Sequence, residues 1–134
     1  MSGICSEIAV VDDEAPVRKA LGRLLTASGF QVATFASGEE FLESLQTRMP
    51  DCAILDLHLP GLSGLEIQKR VRQQRIPLPC ILFTGKDEPG GEQSALAAGA
   101  AGYLRKPVDQ DLLLAAISSA VPGAENQKGF KENA

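Results

Sequence analysis

Residues 52–66 read CAILDLHLPGLSGLE. Four apolar residues run straight into Asp56, and a Pro-Gly turn follows at once. A short apolar run bounded by turn residues reads as a strand buried on both faces. A carboxylate that ends such a strand must reach water, pair with a cation, or do chemistry. Behind it, Ser63 and Glu66 have capping-box spacing and open a helix carrying Leu65 and Val71. This is one strand–turn–helix unit, and the rest of the chain repeats it.

The runs EIAVV (7–11), VATF (32–35), CILFT (80–84) and GYLR (102–105) supply four more strands. Helical periodicity fills the gaps. Val17, Leu21, Leu24 and Leu25 share a face of a helix that starts near Pro16 and stops at Gly29. Ser37 and Glu40 repeat the capping-box spacing ahead of Phe41, Leu42 and Leu45. An Ala-rich helix, GGEQSALAAGA, follows the EPGG loop. Asp109 caps the last helix, with Leu112, Leu113, Ala116 and Ile117 expected to face inward. Five strands alternating with five helices predict an α/β fold, a parallel sheet covered on both faces.

The chain has 134 residues, 44% of them hydrophobic, enough for one domain with a real core. A domain over residues 1–121 is expected, with a polar tail or linker stub at 122–134 broken by Pro122 and Gly123. The start, MSGICSEIAVVDD, meets acid early and has no basic n-region, so no secretory leader is read there. No apolar stretch is long enough to span a bilayer. Cys5, Cys52 and Cys80 are too irregularly spaced for a disulfide scaffold or a zinc site, and read as reduced thiols in a cytoplasmic setting. The formal net charge of −4 argues against unaided nucleic-acid binding, where phosphate neutralisation supplies much of the affinity.

In a parallel α/β sheet every strand ends at one edge, where ligands bind. Asp12 and Asp13 follow the first strand, Asp56 ends the third, Thr84 ends the fourth, and the fifth runs into Lys106. Asp51 opens the third strand, roughly 17 Å from that edge at about 3.3 Å per residue, and reads as a solvated turn residue. Three converging carboxylates repel one another unless a cation intervenes. An all-oxygen site suits Mg2+ better than zinc. One oxygen of Asp56 is then a candidate nucleophile toward phosphorus, with Thr84 and Lys106 offering a hydroxyl and an ammonium to the resulting charge.

With VVDDE, LDLHLPGLSG, LFTG and YLRKP in this order, the chain resembles the receiver domain of bacterial two-component response regulators from about Glu7 to Ala120. The resemblance implies a flavodoxin-like (βα)5 doubly wound sheet with strand order 2-1-3-4-5. It implies that Asp56 accepts a phosphoryl group from a sensor histidine kinase or phosphotransfer protein. Asp13, Asp56 and the backbone carbonyl of His58 would ligate Mg2+, with Asp12 acting through water. Lys106 would pair with the phosphoryl oxygens, and the Lys106–Pro107 peptide would be cis. Thr84 would move toward the phosphate and Tyr103 would turn inward behind it, changing the face made by the fourth helix, fifth strand and fifth helix. Homodimerisation on phosphorylation is a further implied outcome.

Other readings stand beside these. His58 reads as a solvent-facing side chain whose backbone does the work. Lys86 either orders a phosphoryl group or is merely solvated, and Tyr103 is a switch residue or a core aromatic. The EPGGE loop lacks the GxxxxGK[ST] cradle of a nucleotide site. A phosphohydrolase that forms an aspartyl phosphate is disfavoured by His58, which stands where a second acid is expected. An interaction module that never takes phosphate remains an alternative. The output is open between a stand-alone receiver and the N-terminal part of a helix-turn-helix transcription regulator.

Overall fold

The computed structural model describes residues 6–121. Its elements are β1 (Glu7–Val11), α1 (Ala15–Ala27), β2 (Gln31–Phe35), α2 (Gly38–Ser44), β3 (Cys52–Asp56), α3 (Gly64–Gln73), β4 (Cys80–Thr84), α4 (Gly91–Ala97), β5 (Gly102–Arg105) and α5 (Gln110–Ala120). All strand pairings are parallel, in the order β2-β1-β3-β4-β5. The flavodoxin-like architecture expected from the sequence is the observed one. The expected polar tail at 122–134 and Cys5 lie outside the described residues.

Alternation along the strands builds two apolar layers. Ala9, Val11, Ala53, Leu55, Cys80 and Leu82 face α2, α3 and α4, where they meet Phe41, Ile67, Val71 and Ala95. Ile8, Val10, Cys52, Ile54, Ile81 and Phe83 face α1 and α5, where they meet Leu21, Leu25, Leu113 and Ile117. β3 and β4 are buried along their whole length, which is why their sequences read as unbroken apolar runs rather than as alternation. Cys52 and Cys80 are unpaired members of opposite layers, and burial pushes both thiols up to about 12. They are packing groups rather than nucleophiles.

Local signals set the helix starts. Ser63 forms a complete capping box with Glu66, its hydroxyl accepting from the Glu66 N–H and the Glu66 carboxylate accepting from the Ser63 N–H. At α2 only half of the expected box exists. Ser37 accepts from the Glu40 N–H, whereas the Glu40 carboxylate accepts from the Ala36 N–H. Asp109 caps α5 through the Leu112 N–H. The expectation that Leu112 faces inward is wrong: it is 60% exposed. Leu113 and Ile117, one turn apart, already fill the stripe against the sheet, and Leu112 sits about 100° away around the helix. Asp51 is exposed but is not merely solvated, since its carboxylate accepts from the Glu7 N–H at 2.8 Å at the start of β1.

Helix α4 is held unequally at its two ends. Its N-terminus begins at Gly90, in the left-handed region with φ +79°, and has no side-chain cap. Its C-terminal carbonyls accept from α3: Gln68 Nε2 donates to the Ala98 carbonyl at 3.2 Å and Arg72 Nη1 to the Ala97 carbonyl at 2.9 Å. A guanidinium at a helix C-terminus also complements the helix dipole.

Candidate functional site

The parallel topology brings the carboxyl ends of β1, β3, β4 and β5 to one edge. Asp12 is fully buried there and has little freedom. Its Oδ1 accepts from the Glu14 N–H at 2.8 Å and its carbonyl accepts from Arg18 Nη1 at 2.7 Å. Asp56 is 4% exposed, with Oδ1 accepting from the His58 N–H at 3.1 Å. Asp13 is exposed beside them, and carboxylate oxygens of Asp12, Asp13 and Asp56 lie within 4.8 Å of one another. Lys106 Nζ reaches both buried acids, at 2.9 Å from Asp12 Oδ2 and 3.4 Å from Asp56 Oδ2, and lies 4.8 Å from the centre of the Phe83 ring. The Lys106–Pro107 peptide that delivers it is cis.

Gly64 makes this edge possible. A Cβ built there would lie 2.5 Å from the Asp56 carbonyl oxygen, so only glycine lets the start of α3 close onto the end of β3. An open cleft of about 340 Å³ exposes the result, lined by Asp13, Glu14, Asp56, His58, Gly85, Lys86 and Lys106.

The charges are balanced against burial. Desolvation raises the pKa of Asp56; the His58 N–H opposes this, the Asp12 charge adds to it, and Lys106 opposes it again, leaving the carboxyl above its ordinary value. Burial by itself would lower the pKa of Lys106. Its hydrogen bond to Asp12 and the fields of Asp56 and Asp12 outweigh that effect and raise it. The buried edge therefore carries more acid than its ammonium can offset, and it favours added positive charge. Its oxygen-only donor set, clustered within 4.8 Å, fits a hard divalent cation of the Mg2+ type.

Thr84 is buried, and its hydroxyl is engaged within its own loop, accepting from the Lys86 N–H at 2.9 Å and donating to the Lys86 carbonyl at 3.0 Å. Tyr103 is 8% exposed and packs in the core layer under α2–α4, with its hydroxyl donating to Asp87 at 2.8 Å. It is at once a core aromatic and a partner of the β4–α4 loop. Burial, then the Asp87 contact, pushes its phenol up to about 12. The exposed His58 ring is not partnerless, since Nε2 lies 3.3 Å from the Lys86 carbonyl.

The sequence reading missed the supports. Arg18 holds the Asp12 backbone from one turn into α1. Arg105 pairs with Asp87 and, at 3.2 Å, with Glu92, tying the loop and first turn of α4 to β5. Arg105 could have been flagged from its place at the end of β5, directly before Lys106. Nothing in the sequence singles out Asp87 or Arg18.

Comparison with known proteins agrees with this geometry. The sequence pattern of the response regulator receiver domain matches residues 8–118. FixJ, a transcriptional regulatory protein of Bradyrhizobium diazoefficiens, is 37% identical over 118 residues, covering 88% of this chain and 58% of its own length. NtrC, a DNA-binding transcriptional regulator of Klebsiella pneumoniae, is 36% identical over 119 residues, which are 89% of this chain and 25% of NtrC. This chain thus spans about three fifths of FixJ and a quarter of NtrC. Among solved structures, the chemotaxis protein CheY4 of Vibrio cholerae superposes with a TM-score of 0.80 at 30% identity, over 88% of this chain and 100% of that one. A response regulator of Chloroflexus aurantiacus gives 0.81 at 32% identity, over 87% and 98%.

Proposed function

The chain belongs to the response regulator receiver family, and on that premise we propose that it is a phosphorylation-driven switch with Asp56 as the acceptor. The family is one of signalling proteins, phosphorylated by histidine kinases or phosphotransfer proteins, and the same class of donor is proposed here. An oxygen of Asp56 attacks the phosphorus of a phosphohistidine, and the P–N bond breaks as the P–O bond forms. The electron pair of the P–N bond stays on the ring nitrogen, so that an imidazole already protonated on its other nitrogen leaves neutral. Asp12, Asp13, Asp56 and the His58 carbonyl would hold Mg2+, whose chemistry is to neutralise the oxygens of the phosphoryl group in flight. Lys106, already within reach of Asp56, pairs with the transferred group. Thr84 gives up its Lys86 partners to hydrogen-bond the phosphoryl oxygen.

The observation that carries this reading is the juxtaposition of three carboxylates within 4.8 Å with an ammonium 3.4 Å from Asp56. Output passes through the α4–β5–α5 face, where the Asp87–Tyr103–Arg105–Glu92 contacts link the Thr84 loop to α4. The output is either a protein partner, including a second phosphorylated copy, or a transcription domain of the kind named in the longer relatives.

Intact-mass measurement after incubation with acetyl phosphate, with and without Mg2+, tests the proposal on wild type and Asp56→Asn. One magnesium-dependent phosphate on wild type alone is expected. Equal labelling of the variant would move the acceptor elsewhere, and no adduct on wild type at short times would leave an interaction module that works without phosphate.

A further inference from the structure

The Lys86 carbonyl lies within reach of two side-chain donors from two different segments. Thr84 Oγ1 donates at 3.0 Å from the end of β4, and His58 Nε2 lies at 3.3 Å from the segment after β3. A carbonyl can only accept, so Nε2 must carry the hydrogen in this contact. The backbone of the same histidine donates to Asp56 Oδ1 at 3.1 Å. His58 therefore touches the phosphoacceptor through its main chain and the Thr84 loop through its ring.

We propose that the His58 side chain is a positioning residue for the Thr84 switch: its Nε2–H keeps the Lys86 carbonyl hydrogen-bonded when the Thr84 hydroxyl leaves it for a phosphoryl oxygen on Asp56. The inference rests on the phosphoacceptor reading above. As the chain stands, Thr84 accepts from the Lys86 N–H and donates to the Lys86 carbonyl. Turning toward Asp56 breaks both bonds. Without the imidazole the carbonyl loses its side-chain donors altogether. With the imidazole in place it loses one of two and keeps a protein partner, whereas without it the carbonyl, on an exposed residue at the cleft, must turn to water for one. The ring also competes with Thr84 for the same oxygen before the move. Both effects favour release. The neutral Nε2–H tautomer suffices, so no change of protonation is involved.

The worth of one neutral hydrogen bond sets the scale, about three- to tenfold in the switching equilibrium. The chain has one tyrosine and no tryptophan, so its intrinsic fluorescence reports Tyr103 alone. Beryllium fluoride, the activator named for the solved DrrB receiver domain, serves as the phosphoryl probe. It would be titrated at fixed Mg2+ into wild type, His58→Met and His58→Gln, with Mg2+ affinity measured separately in the absence of fluoride. His58→Met should need about three- to tenfold more probe, and His58→Gln, which restores an N–H at similar reach, should recover most of the difference. In a Thr84→Val background, His58→Met should add nothing. A His58→Met titration matching wild type overturns the inference, as does a glutamine variant as weak as methionine. So does a loss of Mg2+ affinity by the same factor, which would assign the effect to the metal. A wild-type domain that ignores the probe would overturn the phosphoacceptor reading itself.

Discussion

Replacing Lys106 with methionine tests the electrostatics of the site, because the thioether keeps most of the apolar stem and removes the ammonium, with both its carboxylate contacts and its approach to the Phe83 ring. Nζ lies 2.9 Å from Asp12 and 3.4 Å from Asp56, and at an effective dielectric of about 20 unit charges at those separations attract by about 6 and about 5 kcal/mol. Desolvation of the three groups offsets much of this. Breaking one partner out of such a buried cluster costs about 3 kcal/mol, since the two carboxylates are left facing each other. For a domain of this size that loss lowers Tm by roughly 10 °C. The pH dependence follows from the signs. In wild type the lysine pKa is raised, so its contribution is complete below the ordinary lysine value and is lost only as pH climbs through the raised one. It is therefore constant across neutral pH. In the variant, Asp56 loses the cation that opposes its upward shift and moves further upward, so the penalty is largest near pH 8 and shrinks as pH falls through its raised value. Thermal melting by circular dichroism at pH 8 and pH 5, each with and without Mg2+, reads all of this. Mg2+ should stabilise the variant more than wild type. A deficit at pH 8 below about 1 kcal/mol, or one that does not shrink in acid, refutes the reasoning.

Two further perturbations probe the frame around the site. Gly64→Ala places a methyl 2.5 Å from the Asp56 carbonyl oxygen, which is backbone and cannot step aside, so urea unfolding should show a loss of about 3 kcal/mol; a loss within error would mean that α3 is free to shift. Tyr103→Phe removes the second of the two hydrogen bonds that hold Asp87 below the usual carboxylate range, Arg105 being the first. A carboxyl NMR titration should then find Asp87 moved partway back up but still depressed, and an unmoved value would discard the Tyr103 contact.

Strands were the most legible part of the chain. β3 and β4 are buried on both faces, so CAILD and CILFT stand out without any knowledge of their neighbours. At the sheet edge β2 is half-exposed, and its first residue, Gln31, gives no apolar signal; the expected strand started one residue late. The site acids were legible because topology alone gathers strand ends, and Asp12, Asp13, Asp56, Thr84 and Lys106 all sit there. What the sequence hid were the contacts that depend on where a long side chain reaches. Arg18 folds back to the Asp12 carbonyl, Gln68 and Arg72 cross from α3 to α4, and Glu40 reaches Ala36 instead of closing the box at Ser37. Each choice is settled by packing among several partners of equal chemical merit, and spacing carries no record of it. Leu112 failed for a related reason: an apolar residue beside an already filled stripe has nowhere inward to go.

The unequal fastening of α4 divides its surface into two kinds of address. Gln68 and Arg72 clamp the C-terminal end to α3, while the N-terminal end, starting at Gly90, is held through Glu92 to Arg105 of β5, which also holds Asp87 of the loop that Thr84 shares. A rod clamped at one end answers a push by tilting about the clamp, so displacement grows with distance from Ala97 and vanishes near it. A partner that grips the last turn of α4 would dock equally well whatever the loop does, and would read which protein this is. A partner that grips the first turn would read what state it is in, and one spanning both would be recruited by identity and released or tightened by state.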